Sequence, residues 1–298
     1  MPKTVKVLLT GATGLLGGEL LDLLTARGYE IRCLVRPEST GLTRLDPERV
    51  EISYGDAGEE ESLSRSLSGV ELCVHVAGIE YAPQVASAMQ RVGVKRLLVV
   101  SSTSVYSAYE HCSGWRRKVE SLVRESGLEW TIVRPSMIYG SELDKNMHKL
   151  LRFLDRSPIY PMFGPGTNLW QPVYYEDLAD GILETLKNDQ AVYQSYDLPG
   201  AEPLTYREIV QVSAGALGRE PYVIRLPIEP VRHVLQLAER VRLPLPIESE
   251  QVMRLREDKA YPYEKARQDL GYAPRSFRDG IKSEVSRLRK IGLVKDWA

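Results

Sequence analysis

Three glycines, Gly11, Gly14 and Gly17, lie in VLLTGATGLLGGEL with the spacing GxxGxxG. At such a spacing the first glycine permits a tight turn, the second lets a pyrophosphate approach the backbone, and the third lets a helix lie close to a sheet. Thr13 and Leu15 belong to the same turn. Farther on, YEHCSGWRRKVESL (109–122) holds three adjacent cations, Arg116, Arg117 and Lys118. Lys118 is either a solvated charge or a cofactor contact that tunes a proton transfer. At about 100° per residue, Trp115, Val119, Leu122 and Val123 form one apolar stripe, with Arg116 and Lys118 on its flanks. Helical geometry alone does not choose between the two roles.

The elements that must position these residues are legible. Short apolar runs at 5–10, 30–36, 50–54, 70–78, 94–102 and 128–136 alternate with helical patterns, among them 14–28 and 114–126. Apolar strands alternating with helices predict parallel βαβ units and an α/β fold, a doubly wound parallel sheet. The glycine turn therefore falls between a strand and a helix, the context a dinucleotide site requires. A phosphate-loop nucleotidase is excluded, because no Gly-Lys-Ser/Thr follows. Arg36 stands at the end of the second strand, where an NAD site places an acid, so NADP is favoured over NAD as cofactor. Glu38 close by weakens that inference. Asp56 follows the third strand and either meets the adenine amino group or caps the next helix.

After about residue 140 the pattern changes. We read 1–140 as the nucleotide-binding core and 141–298 as mainly a smaller substrate-binding lobe with segments returning to the core. NMHKLLRFLDRS and 175–189 read as helices, and Thr205 with Glu208 forms a capping-box pattern. The stretch 158–175 reads as a long, mostly ordered loop. Its Gly164, Gly166, Asn168, Trp170, Gln171 and Tyr174 either wall a substrate cleft or pack the lobes, and Met137 and Tyr139 are further candidates for the cleft.

Composition bounds the partners. The 298 residues carry 39 Lys plus Arg against 40 Asp plus Glu, a formal net charge of -1. That balance gives no support for nucleic acid as the main partner. Three scattered cysteines fit a reducing compartment, and the four histidines show no metal-ligand spacing. Without a long apolar run, no membrane span is expected and a cytoplasmic location is the default.

Four blocks, TGATGLLG (10–17), HVAG (75–78), SSTSVY (101–106) and RPSMIYG (134–140), together resemble the extended or atypical short-chain dehydrogenase/reductase superfamily, the NAD-dependent epimerase/dehydratase-like branch. QPVYYEDLAD and AYPYEKARQDLGY resemble its C-terminal landmarks. The resemblance implies a Rossmann core, a nicotinamide cofactor touching Gly11, Gly14, Gly17, Ala77 and Gly78, and a substrate under the C-terminal lobe. It implies that Ser102 bonds the reacting oxygen and that Lys118 holds the nicotinamide ribose. The family's tyrosine would stand four residues before that lysine, and this chain has Gly114 there. Tyr106 and Tyr109 are the replacement proton donors nearest in sequence, and His111 is close by. Three readings follow: an NADP-linked reductase with a displaced donor, a sugar-nucleotide epimerase or dehydratase, and a cofactor-binding sensor or complex subunit. The substrate is a small molecule, with a sugar or a flat polar ring suited to the aromatic and amide wall, and a homodimer through sheet-flanking helices is compatible with the fold.

Overall fold

In the computed structural model, which describes residues 5–240 and 255–296, the chain forms two compact units. The first comprises residues 1–138, 173–199 and 262–274, and the second comprises 139–172, 200–261 and 275–298. The core thus takes back two later segments, and the residues between them belong to the second unit.

The first unit is built on β1 (Lys6–Thr10), β2 (Glu30–Val35), β3 (Glu51–Tyr54), β4 (Leu72–His75), β5 (Arg96–Val100) and β6 (Glu129–Pro135). Together with the strand Gln194–Leu198 they make a seven-stranded sheet. Its order is Gln194–Leu198, β6, β5, β4, β1, β2, β3, and every pairing is parallel. The alternation of side chains along a strand separates two cores. Val7 and Leu9 point into a cluster with α1 (Leu15–Ala26) and the helix Tyr175–Lys187, while Leu8 points into one with α2 (Glu60–Leu67), α3 (Ala82–Val92) and α4 (Glu110–Arg124). Both faces are covered, which explains why these strands are apolar throughout rather than alternating. The chain reverses its winding between β1 and β4, and in such sheets ligands bind at that point, beyond the carboxyl ends of the strands.

The helix expected over 114–126 begins earlier, at Glu110. Its buried face is also rotated from the apolar stripe. Cys112, Ser113, Glu120 and Val123 are buried, whereas Trp115 and Leu122 are exposed. Glu120 takes a core position because it has buried partners there.

The second unit corrects the reading of 158–175 as loop. Ile159–Phe163 pairs in parallel with Tyr222–Leu226, and Leu169–Trp170 pairs antiparallel with Leu204–Thr205. Prolines and glycines concealed these short strands. The capping box is present, with Thr205 Oγ1 accepting from the Glu208 N–H at 3.2 Å and Glu208 accepting from the Thr205 N–H at 2.7 Å.

Candidate functional site

At the carboxyl end of β1 the glycine turn has little room for side chains. Gly11 has φ 77°, in the left-handed region that favours glycine, and a Cβ there would lie 2.8 Å from the Ala77 nitrogen. A Cβ on Gly17 would overlap the Gly11 carbonyl. Gly14 differs, since its Cβ would meet only the Gly11 oxygen at 3.4 Å, so the space above it is open. Gly14 is also the N-cap of α1, with no side-chain cap and no acid in the first turn. The first N–H groups of a helix have no partner within it, and together with the dipole they favour an anion. This end therefore fits a dinucleotide's pyrophosphate.

Across the switch point, β4 is tied to β1 by side chains. Thr10 Oγ1 lies 2.9 Å from His75 Nδ1 and accepts from the Val76 and Ala77 N–H groups at 3.2 Å each. His75 Nε2 lies 3.0 Å from the Gly78 carbonyl. A carbonyl only accepts, so Nε2 carries the proton and Nδ1 accepts from the Thr10 hydroxyl. Burial pushes the imidazole pKa down to about 4, so it is neutral at physiological pH. The pair holds the HVAG backbone beside Gly11. Gly78 has φ 38°, and the Glu80 carboxylate fills the place of its missing side chain.

The segment after β2 folds onto the same turn. Ser39 Oγ donates to Thr13 Oγ1 at 3.0 Å, and Arg44 Nη1 donates to the Thr13 carbonyl at 3.4 Å. Arg36 is exposed, with Nε 3.7 Å from Glu38 Oε1. Asp56 Oδ1 accepts from the Gly58 N–H at 2.7 Å, and the N-cap position of α2 is held by Glu59, without a side-chain capping bond. Asp56 therefore closes the turn that precedes the helix rather than capping it.

Beyond β5, Ser102 caps a short 3-10 turn, accepting from the Ser104 N–H at 3.2 Å and the Ser104 hydroxyl at 3.0 Å. Tyr106 belongs to a charged network that spans three strand ends. Its hydroxyl donates to Asp197 at 2.9 Å and accepts from Arg134 Nη1 at 2.8 Å. Arg134 in turn forks onto Glu120, at 2.9 Å from Nε and 2.7 Å from Nη2, and Ser101 Oγ donates to Glu120 at 2.7 Å. Burial pushes the Glu120 carboxyl up, but the bonds from Arg134 and Ser101 outweigh it and hold the group below the usual range. Burial and the Asp197 charge push the Tyr106 phenol the other way, up to about 12.

Tyr109 is the N-cap residue of α4, with its ring 6.0 Å from that of His111. Lys118 is exposed, on the side of α4 opposite Cys112 and Glu120, and makes no hydrogen bond or ion pair among the described residues. Nine residues separate it from Tyr109, about 13 Å of helix at 1.5 Å per residue. The position of a side chain at Gly114 is occupied by the Glu110 carboxylate, which pairs with Arg117. The structure thus brings together the glycine turn, Thr13, Ala77 and Gly78 around one strand edge. It leaves Lys118 about 13 Å along the helix from Tyr109.

Several candidate wall residues make packing contacts within the second unit, while Tyr174 packs on Tyr175 in the first. The buried Gln171 amide donates to the Gly200 carbonyl at 2.8 Å and accepts from the Tyr261 N–H at 2.8 Å. Trp170 packs on Tyr206 at 5.4 Å, with Lys259 3.8 Å from its ring centroid. Asn168 donates to the Arg256 carbonyl, and Tyr139 is buried against Phe277. Sequence reasoning missed Thr10, His75, Arg134, Glu120 and Asp197. A histidine inside the apolar run VELCVHVAG was the available signal for the first pair.

Comparison with known proteins agrees with this geometry. Residues 11–152 match the NAD(P)H-binding family model. A ceramide reductase from Caulobacter vibrioides is 29% identical over 235 residues, covering 74% of this chain and 73% of its own. The N-acetyl-alpha-D-glucosaminyl-diphospho-ditrans,octacis-undecaprenol 4-epimerase of Escherichia coli O157:H7 is 25% identical over 256 residues, covering 74% and 75%. The dTDP-glucose 4,6-dehydratase DesIV from Streptomyces venezuelae, solved with NAD bound, superposes with a TM-score of 0.76 at 20% identity, covering 96% of this chain and 97% of that one. The chain contains an NAD(P)-binding domain and has the Rossmann-like fold of the NAD-dependent epimerase/dehydratase-like extended short-chain dehydrogenase/reductases. Within the described residues no helix is long and apolar enough to cross a membrane.

Proposed function

We propose that the chain is an NADPH-linked reductase of a carbonyl compound, with Tyr109 rather than Tyr106 as its proton donor. The observation that carries the choice of donor is the state of the Tyr106 hydroxyl. It is committed to Asp197 and Arg134, and a phenol held near 12 is a poor acid at neutral pH. A bound nicotinamide would supply the hydride. The chain's own part is to hold the pyrophosphate at the Gly14 end of α1, to seat the dinucleotide along Gly11, Ala77 and Gly78, and to orient the reacting oxygen from Ser102. Arg36, with Arg44 and Ser39 around Thr13, supplies the cationic seat for a 2′-phosphate. The ceramide reductase relative supports reduction over epimerisation. Lys118 is assigned to the ribose by the family pattern alone.

The test is turnover of NADPH with a panel of ketones and aldehydes, including long-chain keto compounds. Tyr109→Phe should cut turnover by about 10²–10⁴-fold with cofactor affinity unchanged. Equal turnover in parent and Tyr109→Phe would overturn the assignment. A second reading, a cofactor-binding protein without turnover, is favoured by the Glu110 carboxylate at Gly114, where the family carries its phenol. Tight NADPH binding with no turnover of any carbonyl would establish that reading instead.

A further inference from the structure

The helix Met147–Arg156 of the second unit turns Met147, Leu151, Leu154 and Asp155 inward. At about 100° per residue, Lys149, Arg152, Phe153 and Arg156 share the opposite side. With Ser157 and Pro158 these four line one groove, of about 390 Å³. All six residues belong to the second unit, whereas the glycine turn belongs to the first.

Helix stability does not account for this row of cations. Arg156 lies in the last turn, where the dipole favours positive charge. Lys149 lies in the first turn, where the dipole disfavours it. Lys149 and Arg152 are three residues apart, and Arg152 and Arg156 are four apart. Like charges at those spacings repel along a helix. No acid lines the groove, and none of the three cations forms an ion pair among the described residues. Asp155, the helix's own acid, is turned inward and accepts from the Lys295 N–H at 3.2 Å.

The middle arginine points to an absent acceptor. Its Nε is buried and donates to no group of the protein. A buried donor left unpaired costs free energy that a ligand oxygen would recover. Neighbouring groups are committed elsewhere. Ser157 Oγ donates to the Ile159 carbonyl at 2.7 Å and accepts from the Ile159 N–H at 3.2 Å. The Pro158 carbonyl accepts from the Tyr222 N–H at 2.8 Å. Beside the cations stands an apolar wall, with Phe153 42% exposed and Pro158 exposed as well.

We infer that this groove binds a small phosphate ester. The phosphate sits on the Arg152 fork between Lys149 and Arg156, and the carbon skeleton rests against Phe153 and Pro158. A guanidinium presents Nε and Nη as parallel donors that match two phosphate oxygens. A phosphate monoester also carries nearly two negative charges, which suits three clustered cations better than one carboxylate does. The volume lies within the range of small-molecule sites. An acidic peptide or a nucleic acid strand would spread its charges along a chain, whereas this row ends after about 10 Å of helix. The inference is independent of the redox reading.

The test is isothermal titration of the full chain with inorganic phosphate and with phenyl phosphate, with and without saturating NADPH. Both probes should bind, phenyl phosphate the more tightly, and NADPH should displace neither. Arg152→Met keeps the aliphatic stem and should lower both affinities by about tenfold or more. Lys149→Gln combined with Arg156→Gln should act in the same direction. Phe153→Ala should remove the advantage of phenyl phosphate and leave phosphate binding in place. Far-ultraviolet circular dichroism and NADPH titration confirm that the variants fold. Failure of both probes to bind overturns the inference, as do equal binding by Arg152→Met and equal affinities of the parent for the two probes. Displacement by NADPH would put the probes at the glycine turn and overturns it too. So does tighter binding of polyglutamate or single-stranded DNA than of phenyl phosphate.

Discussion

Tyr106 donates its hydroxyl hydrogen bond to Asp197 at 2.9 Å, across 91 residues of chain. The bond joins the loop after β5 to the last strand of the sheet, with Arg134 of β6 between them. We expect Tyr106→Phe to cost about 1 kcal/mol of stability, the worth of one hydrogen bond at a half-exposed site, and to leave NADPH turnover nearly unchanged. Arg134→Met should cost about 2–3 kcal/mol, because it removes the fork on the buried Glu120 and leaves that charge only Arg124 and Ser101. Urea unfolding checks both values. A hundredfold loss of turnover in Tyr106→Phe would instead make this phenol the donor.

The glycines separate by what surrounds them. Gly14→Val should fold and lose dinucleotide affinity, since its side chain enters open space that the pyrophosphate needs. Gly17→Ala should unfold or badly destabilise the core, because its methyl would overlap the Gly11 carbonyl. Thermal melts together with NADPH fluorescence titration distinguish the two outcomes.

On the proposed reading, Arg36 and Arg44 would set a preference for NADPH. Arg36→Ala should weaken NADPH binding by about tenfold or more, given about 1.5–3 kcal/mol for a hydrogen bond to a charged group, and leave NADH binding as it was. Arg44→Ala should act in the same direction. Equal affinities for the two cofactors in the parent protein would refute the seat.

In the second unit Glu284 is fully buried beside Asp144, and a backbone contact from Gly140 offsets the cost of its charge only in part. Burial and the neighbouring Asp144 carboxylate push its pKa up to about 10. Protonated, it can donate to Asp144. Unfolded, it titrates near the ordinary value of about 4.3. The folded state therefore binds the extra proton between these values, and stability falls as pH rises through that window, by at most about 1.4 kcal/mol per pH unit. Glu284→Gln should flatten the decline, raising the melting temperature more at about pH 8.5 than at about pH 5.5. Identical pH profiles would contradict the buried proton.

The sheet and the glycine turn between β1 and α1 were readable because apolar runs and glycine spacing are local signals. Strand–helix alternation sufficed for the parallel order through β6. The short strands at Ile159–Phe163 and Tyr222–Leu226 were not, since each finds its partner about sixty residues away and carries prolines beside it. The rotated face of α4 was hidden for a related reason. Glu120 looks like a surface residue until Arg134 and Ser101, distant in sequence, supply its partners. Thr10 and His75 meet only because β1 and β4 are neighbours. Such contacts belong to topology, and composition does not announce them.

The first unit is completed by residues 173–199 and 262–274. β6 gains its outer neighbour only from Gln194–Leu198, and α1 is covered by the Tyr175–Lys187 helix. During synthesis, then, the nucleotide-binding half waits on the ribosome with a bare edge and an uncovered helix until residues 173–199 have followed it out. A gene fragment stopping near codon 140 would encode that waiting state, with one strand edge and one helix face left bare, rather than a miniature enzyme.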